Sequence, residues 1–241
     1  MEIALRILQQ EEALCLELGD KNSLSASYGN QAVILYAWGR LEEAFALHKK
    51  EEALCLELGD KKGLQASYAN QALILKAWGR LEEAFELLKK QEALCLELGN
   101  KDGLSRSYGN QAGILQAWGR LEEAFALTKK EEALCLELGN KDGLRRSYGH
   151  QAVILKAWGR LEEAFALHKK EEALCLELGN RRALAYCYWS RGLLAREQRD
   201  RKTEREKLAA ALDIFTELNM PRERDEVRAE LEKTAAADRA T

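Results

Sequence analysis

The sequence predicts an all-α fold, a solenoid of antiparallel helix pairs stacked one on the next. The strongest observation is a 40-residue unit that recurs along most of the 241-residue chain with small changes. Residues 91–130 and 131–170 are identical at 34 of 40 positions, and no insertion separates the copies. Repeats of this length are typical of stacked supersecondary units. The chain also has a single proline, and most of its glycines recur at the repeat interval, which argues against a sheet-rich fold.

Each unit is predicted to contain two helices that end at glycine. In the first complete unit a first-type helix covers 22–38 and a second-type helix covers 40–58, where leucine and alanine fall at helical spacing. Gly39 and Gly59 end these helices, because glycine enters the left-handed conformation at little cost. An Asp or Asn suited to capping precedes each first-type helix, namely Asp20, Asp60, Asn100, Asn140 and Asn180.

The chain is expected to form one domain over residues 1–241. A leading second-type helix spans 1–18, and five helix pairs follow over 20–218, the last of them divergent. A polar final helix over 221–236 starts at Pro221, since proline is tolerated in the first turn of a helix. A polar terminal helix covers the otherwise exposed end of a stack of repeats.

Composition limits the functions that the chain can have. The formal net charge is −3, from 37 basic and 40 acidic residues, which disfavours a general nucleic-acid binder. No apolar run is long enough to span a membrane and no signal-peptide layout occurs, so we expect a cytoplasmic protein. The sequence has no phosphate-binding loop, HExxH pair or nucleophile elbow, so we expect no enzyme activity and no cofactor.

The cysteines are predicted to be structural. Five of the six recur at 40-residue spacing, from Cys15 to Cys175. Equivalent residues one repeat apart lie too far from each other for a disulfide. No CxxC pair exists, so we expect no metal site, and a small buried apolar side chain is the ordinary role. Cys187 departs from the spacing, and the sequence assigns it no role.

The phrases SYGNQAVILYAWGRLEEAF (27–45) and GLSRSYGNQA (103–112) resemble the tetratricopeptide repeat (TPR), and the 40-residue spacing is closest to its kinesin-light-chain and LGN-like subclass. The resemblance covers at least residues 11–200, although the proline usual at the repeat end is missing. It implies a right-handed solenoid whose first helices line a concave groove that binds proteins or peptides. Bacterial kinesin-light-chain-like proteins of this kind are linked to tubulin-like filaments, so the resemblance includes a filament protein among the partners.

Differences between the copies indicate where a ligand surface lies. On the first-type helix the varying positions span an arc of roughly 140°, at about 100° per residue, and most invariant positions occupy a separate arc. The resemblance places the varying arc in the groove, where we predict ligand binding; neutral drift on a solvated face is the alternative. The varying residues of the first copy are Ser25, Ala26, Gly29, Asn30, Val33 and Tyr36.

An amide ladder is the first set of predicted peptide-binding residues. Asparagine offers both donors and acceptors, so one Asn per repeat can hold the backbone of an extended peptide. The alternative is that these side chains bond only to neighbouring turns. The ladder consists of Asn30, Asn70 and Asn110 and is continued by His150 and Ser190.

Positive charge defines the second set. Arg106 and Arg146 lie one turn before ladder positions, where the first two repeats have alanine, and arginine suits bidentate binding of carboxylates. The expected partner is therefore a protein or peptide with an acidic segment. One further groove position is charged in two repeats and neutral in two, as Tyr36, Lys76, Gln116 and Lys156.

Aromatic residues form the third set. Tyr186 and Trp189 take groove positions in the fifth repeat, where they either anchor a ligand or close the end of the groove. The tryptophans that recur from Trp38 to Trp158 fall in the invariant arc and are predicted to be core. A local surplus of Lys and Arg over 181–207 is expected to be a solvated surface.

Two other functions stay open at this point. A scaffold or filament-associated adaptor acts through the convex face, the edges or the ends, and near-identical units also allow weak end-to-end association of an otherwise monomeric chain. A designed or consensus-derived origin would produce the same near-identity. Single-stranded RNA binding needs a basic groove with stacking aromatics, which the acidic total charge disfavours.

Overall fold

The computed structural model describes the backbone of residues 2–239 and the side chains of residues 2–235, so Met1 and residues 240–241 lie outside it. All regular structure in this described part is α-helical, which confirms the predicted all-α class of consecutive helix pairs. The helices are α1 (Glu2–Leu18), α2 (Lys21–Ala37), α3 (Leu41–Leu58), α4 (Lys61–Ala77), α5 (Leu81–Leu98), α6 (Lys101–Ala117), α7 (Leu121–Leu138), α8 (Lys141–Ala157), α9 (Leu161–Glu177), α10 (Arg181–Glu197), α11 (Arg201–Glu217) and α12 (Pro221–Arg239).

The chain divides into two compact units, Met1–Ile114 and Leu115–Thr241, called the N-terminal and the C-terminal unit below. Within each unit consecutive helices pack against one another, as α2 packs on α3 and α8 on α9. The predicted capping helix over 221–236 is α12, which begins at Pro221, continues to Arg239 and packs on α11. The expectation of a single domain stays a prediction.

Glycines and capping side chains set the turns between the helices. Gly39 has a φ of 75° and Gly59 a φ of 67°, left-handed values that glycine adopts without strain. The side chain of Asp20 accepts the backbone N–H of Ser23 and so caps α2. The predicted caps are confirmed, since the same contact recurs at Asp60, Asn100, Asn140 and Asn180.

Small side chains lie where the helices cross. Ala32 of α2 and Ala44 of α3 are fully buried, so the two helices approach closely. The recurrent tryptophans were predicted to be core, which holds only in part, since Trp78 and Trp158 pack half-buried against the core while Trp38 is exposed. Trp38 is 36% exposed at the C-cap of α2, and Trp78 is half-buried against Phe45 with ring centroids 5.2 Å apart. They lie beyond the last helical turn, where less of the ring is covered.

Buried hydrogen bonds join each of the first four first-type helices to the second-type helix before it. Ser67 Oγ donates to the backbone oxygen of His48 at 3.0 Å. Gln71 Nε2 donates to Glu52 Oε2 at 2.8 Å and to Ser67 Oγ at 3.2 Å. We call this arrangement the Ser–Gln–Glu clamp. It recurs as Ser27–Gln31–Glu12, Ser107–Gln111–Glu92 and Ser147–Gln151–Glu132.

The fifth repeat keeps the clamp positions but changes the residues. Cys187 replaces the serine, and its Sγ lies 3.4 Å from the backbone oxygen of His168. Arg191 replaces the glutamine and pairs with Glu172. Cys187 is therefore the fifth member of the serine series rather than an irregular member of the cysteine series.

The thiols are buried in every repeat. All six cysteines are free, which confirms the predicted small buried role without disulfides. Burial raises the pKa of Cys95 and that of Cys175 to about 11. These thiols stay protonated near neutral pH and are poor nucleophiles.

At Gly29, which was assigned to the ligand surface, the residue type in each repeat depends on the size of the buried side chain that it contacts. A Cβ atom on Gly29 would lie 2.5 Å from Glu51 Oε1. Glu51 is buried and held, because His48 Nδ1 lies 2.7 Å from its Oε2. The second repeat has Ala69 at the glycine position and Gln91 at the glutamate position. The assignment of Gly29 to the ligand surface is therefore corrected: its size is set by packing.

Exchange of Gly29 for alanine tests this coupling. Gly29→Ala gains helix propensity but overpacks Glu51, and overpacking costs about 1–3 kcal/mol. A His48→Leu/Glu51→Gln background copies Leu88 and Gln91 of the next repeat and frees the space. We expect Gly29→Ala to be at least about 1 kcal/mol more favourable in that background than in the wild type. Urea unfolding of the four proteins measures the difference, and equal effects in both backgrounds would contradict the coupling.

Candidate functional site on the first-type helices

The first-type helices present one packed side and one open side within each unit. In α2, Asn30, Val33 and Tyr36 are exposed, as the variation between copies predicts. We call the open side of α2, α4, α6, α8 and α10 the first-helix face. Ser25 was also placed on it, which is wrong: Ser25 is 8% exposed, and its Oγ lies 3.3 Å from Cys55 Sγ.

In the N-terminal unit the first-helix face carries a small, mostly apolar cleft. Tyr36 and Asn70, both predicted to bind a peptide, line a cavity of about 80 Å³. Val33 and Leu73 add apolar walls, and the buried His48 lies beneath them. The cleft offers one amide and one phenol to a ligand.

Other predicted residues of this unit are spread along the same face. Asn30 and Lys76 are exposed, and Asn110 is half-buried. Arg106 is exposed and pairs with Asp102 at 3.1 Å, so part of its charge is already compensated. Among the described side chains, these do not contribute to the cleft lining.

The C-terminal unit has a larger and more basic cleft at the equivalent place. Its volume is about 180 Å³, and its walls come from α8, α9 and α10, so we call it the α8–α10 cleft. The structure brings together four predicted residues there: Arg146, His150, Tyr186 and Ser190. Arg145, Gly149, Val153, His168 and Glu171 complete the lining.

Two adjacent arginines give the α8–α10 cleft its charge. Arg145 is 13% exposed and pairs with Asp142 at 3.0 Å. Arg146 is 33% exposed, and its Nη2 lies 3.4 Å from Oε1 of the buried Glu131. Arg146 Nε is buried and has no hydrogen-bond partner in the described part of the chain. The Arg146 side chain is still one-third exposed, so a ligand carboxylate can approach its charge.

The acidic residue of the cleft is already bonded. Glu171 is 7% exposed, and its Oε2 lies 2.8 Å from His168 Nδ1, which is buried as well. A buried carboxylate with its own donor repels an acidic ligand less than a free one. The rim of the cleft is therefore basic and its floor is a closed polar pair.

The two aromatic residues of the fifth repeat play different parts. Tyr186 lines the cleft, and its hydroxyl donates to Glu223 of α12 at 2.8 Å. Trp189 packs edge-on against Phe215 with centroids 6.1 Å apart and stacks beside Tyr186. Trp189 thus packs against the core formed with α11, and its two predicted roles stay predictions.

The remaining predicted charges are compensated or lie elsewhere. Lys156 pairs with Glu197 at 3.0 Å, and Gln116 is half-buried at the end of α6. Several basic residues of 181–207 are ion-paired, for example Arg196 with Glu204 at 2.5 Å. Residues such as Arg181 and Lys202 are exposed as expected, but Arg191 is buried and Arg196 bonds the buried Glu204, so the expected solvated surface is wrong for these two.

Five lining residues of the α8–α10 cleft were not among the predicted binding residues, and for Arg145 the sequence carried a signal. Arg145 lines the cleft beside Arg146, but its position was named only as varying, not as a binding residue. The available signal was the change from Ser25, Gln65 and Ser105 to arginine at this one place in the chain.

Solved structures of several repeat proteins are similar to most of the chain. BtubC (BKLC) from P. vanneervenii has a TM-score of 0.75 at 18% identity over 90% of this chain and 92% of its own. A putative kinesin light chain with nearly identical TPR-like repeats from Podospora anserina has a TM-score of 0.53 at 18% identity over 90% and 97%. YrrB, a TPR protein with an unusual peptide-binding site, has a TM-score of 0.50 at 19% identity over 78% and 84%.

These comparisons define the class by fold. The chain has the all-α, TPR-like fold of helix-pair repeats, as the resemblance implied. The sequence matches no protein-family model and no curated protein. Within the described residues, the helices are too short or too polar to cross a bilayer.

Glu131, which faces Arg146, yields a prediction for pH dependence. Burial raises the pKa of Glu131 to about 7, and Arg146 offsets this only in part. The folded state therefore binds this proton more tightly than the unfolded state. The resulting stabilisation is complete below the ordinary carboxyl pKa and is lost as the pH rises through about 7, with a cost of roughly 3 kcal/mol.

Glu131→Gln removes that cost and keeps an acceptor for Arg146; Gln91 occupies the same place in the preceding repeat. We expect the variant to gain stability over the wild type at pH 8 and to gain little at pH 5. Urea midpoints at both pH values measure it, with the exposed Glu122→Gln as control. A gain of the same size at both pH values would show that the burial of Glu131 does not govern the effect.

Proposed function

We propose that the chain is a non-catalytic protein-interaction module whose first-helix face binds an extended, acidic segment of a partner protein. The observation that carries this proposal is the α8–α10 cleft, where four residues chosen from the sequence meet a fifth, Arg145, around one opening. YrrB, similar in fold, is described as having a peptide-binding site, which supports a peptide as the ligand. A cytoplasmic location is part of the proposal, because six free thiols suit a reducing compartment.

Charge and shape select the ligand class. Arg145 and Arg146 supply planar guanidinium donors at the rim, and guanidinium matches a carboxylate in bidentate geometry. Val153 and Tyr186 give an apolar wall of the size of one side chain. An acidic residue followed by an apolar one therefore fits the cleft better than a basic segment does.

Backbone recognition falls to the ladder positions. Ser190 and His150 line the cleft and can bond the main chain of an extended ligand. In the N-terminal unit Asn70 lines the smaller cleft beside Tyr36. We propose that the ladder residues Asn30 and Asn110, the basic residues Arg106, Lys76 and Lys156, and the remaining groove residues Gln116 and Trp189 have secondary roles, because they lie outside the two cleft linings.

A filament-associated adaptor is the second candidate function, and two observations favour it. The fold of the chain is similar to BtubC over nearly the full length of both chains. Second-type helices also expose leucines in the repeats, with a recurrent row that is about 58% accessible at Leu56, Leu136 and Leu176. A recurrent apolar row suits a partner that docks on the edge of the repeats. We propose the kinesin-light-chain-like subclass on the same grounds.

A peptide selection tests the first candidate. Random linear peptides displayed on phage are selected on the whole chain, and the best binder is made with a fluorescent label. We expect enrichment of Asp and Glu in the selected peptides. A Thr128→His/Arg145→Ser/Arg146→Ala variant rebuilds the residues of the first repeat, including the histidine that pairs with the buried glutamate. We expect it to bind the selected peptide at least about tenfold more weakly.

The control removes two positive charges elsewhere, at the exposed Lys62 and Lys202, as Lys62→Gln/Lys202→Gln. It should bind like the wild type once circular dichroism shows that both variants are folded. If both variants bind the peptide equally weakly, net charge explains the loss of affinity and the cleft arginines have no specific role. Loss of binding on Leu136→Ser/Leu176→Ser, with none on the arginine variant, would replace the first candidate by the second.

A further inference from the structure

Three metal-ligating side chains meet beneath the α8–α10 cleft. His168 and Glu171 come from α9 and Cys187 from α10, and one potential ligand atom of each lies within 4.8 Å of the other two. All three are buried, with exposed fractions of 2%, 7% and 1%. This group is independent of the ligand that the cleft binds, because it uses the floor and not the arginine rim.

The donor set suits one kind of ion. Imidazole nitrogen, thiolate sulfur and carboxylate oxygen together are the ligands of Zn²⁺, which is borderline-soft and accepts all three. Zinc bonds of about 2.0–2.3 Å place the ligand atoms of a tetrahedral site nearer to one another than the 4.8 Å within which these three atoms lie. Small rotations of the three side chains therefore bring them to bonding distance around one ion.

An entry path and an open position exist for that ion. His168 and Glu171 line the α8–α10 cleft, which is open to solvent. Three protein ligands leave the fourth position of a tetrahedral ion for water or for a group of a bound ligand. Binding releases the thiol proton of Cys187 to solvent, as zinc binding to cysteine does generally.

The N-terminal unit contains the same arrangement without the thiol. His48, Glu51 and Ser67 are the equivalents of the three residues one hundred and twenty positions earlier. His48 Nδ1 lies 2.7 Å from Glu51 Oε2, and Ser67 Oγ lies 3.0 Å from the backbone oxygen of His48, the same contact that Cys187 Sγ makes. The two sites thus differ in the third ligand atom, which is the oxygen of Ser67 in one and the sulfur of Cys187 in the other.

We propose that His168, Glu171 and Cys187 form a Zn²⁺ site at the floor of the α8–α10 cleft. In the fifth repeat cysteine replaces the repeat's serine, and the second-type helix before it carries both His and Glu. Serine fills the equivalent position beside His48, so the fifth repeat differs there by its thiol and by Arg191 in place of the clamp glutamine.

Titration of the full-length, metal-free chain with Co²⁺, and with Zn²⁺ against a chromogenic chelator, tests the site. We expect one ion per chain and a thiolate-to-cobalt charge-transfer band that Zn²⁺ abolishes. Cys187→Ser should remove the band and weaken Zn²⁺ binding at least about 100-fold. His168→Leu/Glu171→Gln, which copies the buried Leu88 and Gln91, should do the same without unfolding the repeat.

Two further variants make the test specific. Cys55→Ser removes an equally buried thiol that lies outside the trio and should leave the band unchanged. Ser67→Cys completes the trio in the N-terminal unit and should add a second ion. A wild-type chain that shows no band, binding that survives Cys187→Ser, or a Ser67→Cys chain without a second ion would overturn the assignment.

Discussion

The hydrogen-bonded clamp between neighbouring helices is the constraint on which the rest of the structure depends. A first-type helix can slide along the second-type helix before it only by breaking buried bonds, such as that of Gln71 to Glu52 at 2.8 Å. An unpaired buried polar group costs about 1–3 kcal/mol, so each repeat has one favoured register. Because the clamp recurs at the same positions, the open side of every first-type helix points the same way within its unit. The clefts are consequences of that register.

Two positions on each second-type helix determine which polar side chains lie beneath the clefts. The residues at 48 and 51 and their equivalents are His–Glu, Leu–Gln, Thr–Glu and His–Glu, so three different sets face the neighbouring first-type helices. The His–Glu pairs satisfy themselves, whereas Glu131 draws on Arg146 and carries a raised pKa. On the first-type helix, Gly29 and Gly149 face Glu51 and Glu171, and Ala69 stands at the equivalent position in the repeat that has glutamine. Differences between copies therefore mix packing with ligand chemistry.

Most of the fold could be predicted from the sequence, because a four-fold repeat reports its own helix ends through Gly39, Gly59 and the Asp and Asn caps. The candidate site was predicted only in part. Helical angle alone cannot separate an exposed position from one covered by the next repeat, so Ser25 and Gly29 were placed on the wrong side. Burial by a neighbouring repeat also hid the trio of His168, Glu171 and Cys187, since its members share no short spacing motif.

The central claim is that the α8–α10 cleft is the surface where a partner's acidic segment lies. Nuclear magnetic resonance of isotope-labelled arginine side chains and leucine methyl groups, recorded while a selected acidic peptide is added, tests it most directly. The account predicts that the Nε–Hε signals of Arg145 and Arg146 shift with saturation, while the methyl signals of the exposed Leu136 and Leu176 stay in place. Shifts of the leucine signals alone would contradict it and move the binding surface to the second-type helices.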